Sequence, residues 1–327
     1  MILHKPYVRW LSLVLMLACL PACQAHTRNF SQWLTDFKQE AAEQGISQDV
    51  LHDAFDNMQE PQENILKQDR KQPEKTITFL QYEHNIVTEK KIEAAREHWQ
   101  ENKELLKQIE AAYGVPAPIL LALWGIESNF GEHQGDNSIV QSLTTLAYDH
   151  RRSQFFRKQL IAALKIIQDQ HMHADDLTGS WAGAMGQIQF MPTSYLDFAV
   201  DYDGDGKKDI WQNTGDALAS MANYLHQKGW NRAVSWGAAV TLPDDHHTDW
   251  TAIKGDKTIA GWQVLGVQIA DANLTLPPED TAHLVVLDNN PETAYLTFSN
   301  YNVIMDWNHS VYFATSVGLL ADAIAQP

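Results

Sequence analysis

A mainly α (α+β) fold is what this 327-residue sequence predicts, and three observations carry the prediction. Long stretches repeat apolar residues every three or four positions, as one face of a helix does. No glycine interrupts the polar, helix-patterned segment between Ile46 and Tyr113. From Val240 to about Phe298 the pattern changes, and His283 to Leu287 and Ala294 to Phe298 read as short strands around Asp288-Asn-Asn-Pro291.

Composition bounds the function. An apolar content of 44% with 10% aromatic residues supplies a sizeable core. The formal net charge of −17 argues against a nucleic-acid partner and against adhesion to anionic lipid by charge. Residues 1–25 read as a bacterial export signal. His4, Lys5 and Arg9 give a basic start, and Trp10 to Leu20 is an apolar run too short to span a bilayer. Both cysteines, Cys19 and Cys23, lie in this leader, so the mature protein is expected to have no disulfide. Leu20-Pro21-Ala22-Cys23 resembles a lipoprotein box with an unusual proline, whereas Cys23-Gln24-Ala25 fits ordinary cleavage. Lipidation at Cys23 is the preferred reading. It would anchor the protein at the inner leaflet of the outer membrane without a transmembrane helix. Both endings place the protein in the periplasm.

The elements follow in order. Residues 26–108 form a helical part, with a loose connection at Gln59 to Gln72 and a long charged helix over Glu83 to Glu110. Residues 109–239 hold the motifs. One helix there starts at Pro116 and Pro118, and another covers about Phe155 to Gln168, with Leu160, Leu164 and Ile167 on one face. A third runs from Thr214 to Lys228, capped by Asn213 and ended by Gly229. Residues 240–298 are the small β subdomain. Residues 299–327 return to helix over Asn302 to Ala325.

Glu127 is the most informative residue. It ends the apolar run Leu121-Ala-Leu-Trp-Gly-Ile-Glu-Ser-Asn-Phe-Gly131, where Gly131 fits the helix exit. Leu120, Leu123, Trp124 and Glu127 share one face, which points to the core. A low dielectric and the negative end of the helix dipole both favour the protonated acid, so Glu127 suits general acid catalysis. Taken alone, such a Glu reads first as an ordinary Glu in a surface ion pair, and the residues downstream change that reading. Downstream, Gly179-Ser-Trp-Ala-Gly-Ala-Met-Gly-Gln-Ile-Gln-Phe-Met-Pro192 is dense in small residues. Gly183 and Gly186 admit a close ligand. Ser180, Gln187 and Gln189 offer hydrogen bonds, and Trp181 and Phe190 offer flat apolar faces. That combination suits a sugar, although tight helix packing would also use it.

Gly125-Ile-Glu-Ser-Asn-Phe-Gly131, Ala182-Gly-Ala-Met-Gly-Gln-Ile-Gln-Phe-Met-Pro192 and Trp307-Asn-His-Ser310 together resemble the membrane-bound lytic murein transglycosylase B family, over roughly residues 30 to 325. The resemblance implies a lysozyme-like helical catalytic core over 109–239, completed by 299–327. It implies that Glu127 is the single acid/base and that Ser180 hydrogen-bonds it. Gln189, Tyr224 and Asn308 are implied to line the groove for peptidoglycan glycan strands. Phe313 departs from the family, which usually has Tyr there, and Phe155 stands where relatives can have Tyr. No second acid appears in the catalytic segments; Glu132 and Asp136 lie past the helix end. Most glycosidases use two carboxyls. With one, the resemblance implies cleavage of the MurNAc–GlcNAc bond without water, leaving 1,6-anhydro ends. A goose-lysozyme-like hydrolase and a non-catalytic murein-binding scaffold are the alternatives.

Asp201-Tyr-Asp-Gly-Asp-Gly-Lys-Lys-Asp209 matches the start of an EF-hand loop. Asp201, Asp203, Asp205 and Asp209 take positions 1, 3, 5 and 9, and the Lys207 carbonyl position 7. Gln212 replaces the usual Glu at position 12, and the resemblance favours Asp216 as the residue that reaches in. A structural Ca2+ is the expected cofactor, against an Asp-Gly turn held without metal. His171-Met-His173 and His246-His247 read as surface histidines.

Overall fold

The structure is a computed structural model and describes residues 29–71, 77–243, 248–271, 274 and 276–326. The leader, Cys23 and His246-His247 lie outside the described residues. The N-terminal helices are α1 (Phe30–Glu43), α2 (Gln48–Phe55), α3 (Glu63–Arg70), α4 (Phe79–Ile86), α5 (Glu89–Glu101) and α6 (Lys103–Tyr113). The core follows with α7 (Ala117–Ser128), β1 (Asn137–Ser138), α8 (Ile139–Tyr148), α9 (Ser153–Gln170), β2 (Thr178–Gly179), α10 (Pro192–Phe198) and α11 (Thr214–Gln227). The β unit holds β3 (Gly237–Thr241), β4 (Lys257–Thr258), α12 (Ile259–Val264), β5 (Gln268–Ile269), β6 (Thr281–Val286) and β7 (Ala294–Thr297). Two helices, α13 (Ser299–Trp307) and α14 (Val311–Ala325), bring the chain back. Among the described residues no single helix is long and apolar enough to cross a membrane.

The expected helix over Glu83 to Glu110 is three helices. Thr88 caps α5 by accepting from the Lys91 backbone N–H, and Asn102, with its side chain on the His98 carbonyl, separates α5 from α6. Both residues compete for backbone hydrogen bonds locally and so favour helix ends. The expected loose connection at Gln59 to Gln72 contains α3. Its support is tertiary: Ile65 is fully buried, and buried Asp69 pairs with Arg151 and Arg152. The C-terminal return is also broken. Asn308 ends α13 in an extended conformation, and Ser310 starts α14 by accepting from the Phe313 N–H.

Helix α7 is the axis of the core. Leu120, Leu121, Ala122 and Leu123 are all fully buried, so it has no polar face to give to solvent. Helices α14, α5, α11 and α6 pack around it. Its first turn receives Glu110, whose carboxylate accepts from the Ala117 N–H at 3.2 Å, a favourable charge at a helix start.

The five-stranded antiparallel sheet has the order β4-β6-β7-β3-β5. It closes over its own small core, in which Trp262 is fully buried and donates its indole N–H to the Ala282 carbonyl. This unit begins at Gly237, ahead of the expected boundary at 240. Asn300, buried at the start of α13, joins the two crossings between unit and core. Its Oδ1 accepts from the Asn231 N–H, and its Nδ2 donates to the carbonyls of Asn231 and Val234. Beside this joint the Trp236 ring lies over Gly318 of α14, and its indole N–H reaches Asp322 at 3.0 Å. Burial pushes the Asp322 carboxyl up to about 6.

A Cβ on Gly318 would sit 2.2 Å from the Trp236 ring. Gly318→Ala is therefore expected to destabilise the protein by about 1–3 kcal/mol through overpacking, despite alanine's better helix propensity. Chemical denaturation checks this; a variant as stable as the parent would show that Trp236 yields freely.

Candidate active site

Glu127 lies in the last turn of α7, and the chain then reverses sharply. Asn129 (φ 52°), Phe130 (φ 59°) and Gly131 (φ 89°) are all left-handed. The helix thus exits at Asn129, ahead of the expected Gly131; asparagine tolerates this region better than most residues. Phe130 folds back over Gly125, where a Cβ would lie 2.7 Å from the ring. Glycine is needed there for the reversal. On the side of α5, Lys91 Nζ donates to the Gly125 carbonyl at 3.1 Å, and His98 stacks on Trp124 and Phe130. A cation on a last-turn carbonyl suits the negative end of the helix.

Ser128 couples this end to the small-residue loop. Its Oγ donates to the Gln187 carbonyl and accepts from the Gly131 N–H. Gln187 in turn binds the Ile210 and Trp211 carbonyls through its backbone and side-chain N–H groups. Gly186 (φ 68°) allows this approach, since a Cβ there would meet the Ile210 carbonyl at 2.7 Å. Gln189, also left-handed, donates its amide to the carbonyls of Gln134 and Gly186. The motif segments 125–131 and 182–192 are therefore bonded into one wall.

The opposite wall is aromatic. Trp307, at the end of α13, donates its indole N–H to Glu127 Oε1 at 2.7 Å. Its ring packs on Phe190 at 5.3 Å and on Tyr224 at 4.9 Å. Tyr224 donates to the Asp306 carbonyl, and burial pushes its phenol up to about 12, so it remains neutral. Glu127 keeps part of its surface exposed. Burial nevertheless pushes its carboxyl up to about 7, with the Trp307 hydrogen bond pulling the other way.

Of the residues singled out from sequence, Glu127, Phe190 and Tyr224 meet around Trp307, and exposed Asn308 follows it directly. Ser180 does not bond Glu127. Its Oγ accepts from the Ala184 N–H and shapes its own loop. Trp307 takes the place expected of Ser180. It was legible only as part of the motif Trp307-Asn-His-Ser310. Arg151 and Arg152 face Asp69. A hollow of about 480 Å3 between α1, α9 and α10 includes none of these aromatic residues and not Glu127.

The acidic loop is partly as expected. Carboxylate oxygens of Asp201, Asp203 and Asp205 converge within 4.8 Å, and the N–H groups of Gly204, Asp205, Gly206 and Lys207 hold these side chains in place. Asp209 and Asp216 do not join them. Asp209 accepts from the N–H groups of Trp211 and Gln212. Fully buried Asp216 accepts from those of Tyr202 and Asp209. A helix-borne carboxylate already bonded on both oxygens braces the loop from behind.

The chain belongs to the transglycosylase SLT domain family, which matches residues 29–322. It is 31% identical to membrane-bound lytic murein transglycosylase B of Escherichia coli, over 76% of this chain and 67% of that protein. SltB3 from Pseudomonas aeruginosa, solved in complex with NAG-NAM-pentapeptide, superposes with a TM-score of 0.84 at 37% identity, covering 92% of this chain and 80% of that one. The Escherichia coli lytic transglycosylase Slt35, solved in complex with calcium, gives 0.76 at 26% identity, covering 89% of this chain and 92% of that one. The mainly helical, lysozyme-like fold is shared with these enzymes.

Burial pushes the Glu127 carboxyl from its ordinary 4.5 up to about 7. The folded state thus binds more protons between these values, and stability declines as pH rises through that window. Glu127→Gln should melt higher than the parent at pH 8, by about 1–3 kcal/mol, and match it at pH 4. Its turnover should fall by about 10²–10⁴-fold. Melting curves at both pH values, with turbidity clearance of sacculi, check the pair of effects. Near-parent clearance would remove Glu127 from the chemistry.

Proposed function

We propose that Glu127 is the single acid and base of a lytic murein transglycosylase, the activity class of the family to which this chain belongs. The observation that carries the assignment is one partly exposed carboxyl, pushed up to about 7 by burial, that takes the Trp307 indole N–H at the end of α7. An acid that is half-protonated near pH 7 can give a proton and then take one back.

The substrate is the glycan strand of peptidoglycan. Protonated Glu127 gives its proton to the glycosidic oxygen as the bond to C1 of N-acetylmuramic acid breaks. The sugar's own N-acetyl group stabilises the cation at C1. Glu127, now a carboxylate, takes the proton from the C6 hydroxyl, whose oxygen closes on C1. The product is a 1,6-anhydro ring, and no water is consumed. Partly exposed Trp307 offers a flat face to sugar C–H groups, with buried Phe190 and Tyr224 packed behind it, and Gln189 and Asn308 are the groove amides. The relative solved with a NAG-NAM-pentapeptide supports this substrate class.

Calcium at Asp201, Asp203 and Asp205, with the Lys207 carbonyl, is the second part of the proposal. The convergence of three carboxylates supports it, as does the relative solved with calcium. There it would neutralise the acidic loop and fix the link between α10 and α11, away from the reacting atoms. The third part is an envelope location, with the protein in the periplasm and anchored at the outer membrane through Cys23. The leader and the membrane-bound relative support it.

Mass analysis of muropeptides from digested sacculi should show anhydro ends, one water lighter than hydrolytic products. A digest dominated by reducing ends would establish a muramidase instead. For the metal, calcium added after chelation should raise Tm, because it binds the folded state preferentially; at about 100 times its Kd the gain is about 2.7 kcal/mol. Asp201→Ala combined with Asp205→Ala should abolish the rise. A parent protein indifferent to calcium would eliminate the site.

A further inference from the structure

The group that meets Glu127 can only donate. An indole N–H has no acceptor lone pair, and Trp307 places it 2.7 Å from Oε1. We infer that Trp307 divides the two carboxyl oxygens between different duties. Oε1 stays an acceptor throughout, and Oε2 alone carries the proton that moves. The inference rests on the acid/base role proposed above and adds Trp307 as a positioning residue.

The chemistry of a carboxyl group leads to this division. In the neutral acid the carbonyl oxygen is a better acceptor than the hydroxyl oxygen. A proton on Oε1 would leave the indole facing the poorer acceptor. The N–H therefore keeps Oε1 as the carbonyl oxygen, and the acid's proton sits on Oε2. In the first step Oε2–H gives its proton to the glycosidic oxygen, and the C1–O bond breaks with its electron pair on that oxygen. In the second step the C6 hydroxyl gives its proton to Oε2 as its oxygen bonds to C1. The N–H bond to Oε1 persists through both, so the carboxyl need not rotate between acting as acid and as base. Such a fixed donor is already oriented before the reaction starts.

The indole is held independently of Glu127. Phe190 and Tyr224 pack on its ring at 5.3 and 4.9 Å. Tyr224 Oη also donates to the carbonyl of Asp306, the residue just before Trp307, at 2.7 Å. Several ionisable groups on the surrounding helices have partners of their own, and exposed His309 follows Asn308 at the site's edge. On α5, Lys91 serves the Gly125 carbonyl, and His98 pairs with Glu101. Glu110 of α6 is at the far end of α7, on the Ala117 N–H. Asp306 of α13 lies 4.0 Å from Lys228. On α14, Asp322 is held by Trp236, and Tyr312 by Asp288. Beyond the helix end, Glu132 accepts from Asn129.

Trp307→Phe keeps an aromatic ring and removes the donor. The lost bond favoured the carboxylate, so the alkaline limb of kcat/KM should move to higher pH, by about half a unit or more. Turnover should fall about tenfold or more with KM little changed, because the bond orients the acid and not the sugar. A folded Trp307→Phe with the parent's kcat and pH profile would overturn the inference. Should that variant fail to fold, the parent decides. Its Trp307 indole N–H resonance, assigned through contacts with Tyr224 and Phe190, should titrate with Glu127 and lose that titration in Glu127→Gln. An indole resonance flat across pH 5 to 9 would overturn the inference equally. Reducing-end products, or a fully active Glu127→Gln, would instead strike the acid/base reading itself.

Discussion

A carboxyl group kept largely out of water at the end of a fully buried helix sets the terms for the rest of this structure. Charge is disfavoured in such a place, so the group is neutral far above its ordinary range. The protein compensates with little. Among the described residues, one indole bond meets the carboxyl and no cation is paired with it. The Lys91 ammonium is committed to the Gly125 carbonyl. A salt bridge would have fixed the carboxylate and removed the acid. The absence of a strong partner is therefore part of the chemistry, and folding bears the cost.

That cost explains why so much of the chain converges on one helix end. The reversal after Ser128 uses three successive left-handed residues, an arrangement that local preference alone would not sustain. It holds because Ser128, Gln187, Gln134 and Gln189 bond the adjoining loops through backbone carbonyls. None of these contacts is acidic or basic, so the wall around Glu127 is rigid without changing its protonation. Ile210 and Trp211, whose carbonyls Gln187 binds, follow the acidic loop in the chain.

Much of this was legible in the sequence because it depends on local pattern. Pro116, the apolar run before Glu127, the Asn213 cap of α11 and the strands around Asp288 all follow short-range rules, and the structure follows them closely. What escaped depends on partners distant in sequence. Helix α3 looks like a polar connection until Asp69 meets Arg151 and Arg152. The long helix through Glu83 to Glu110 breaks because Thr88 and Asn102 prefer caps, a signal that the charged pattern obscured. Glu127 and Trp307 are 180 positions apart, and no periodicity links them. Ser180 was named as the acid's partner by family likeness, yet the group that bonds Glu127 is Trp307, while Ser180 Oγ accepts from the Ala184 N–H. Asp216 was named as a ligand, and its carboxylate lies outside the converging trio of Asp201, Asp203 and Asp205.

The two crossings held by Asn300 have a consequence for the history and engineering of this chain. The polypeptide leaves the helical core near Asn231 and re-enters it at Asn300, and these two points are within a single side chain's reach of each other. The intervening sheet has its own apolar centre. Such a segment is a lateral insertion, tolerated because it begins and ends at nearly the same place. A lineage could lengthen, shorten or exchange it while the reading frame of the core, and the distance between Glu127 and Trp307, stayed as they are. It follows that this unit is the natural place to graft a foreign module onto the enzyme.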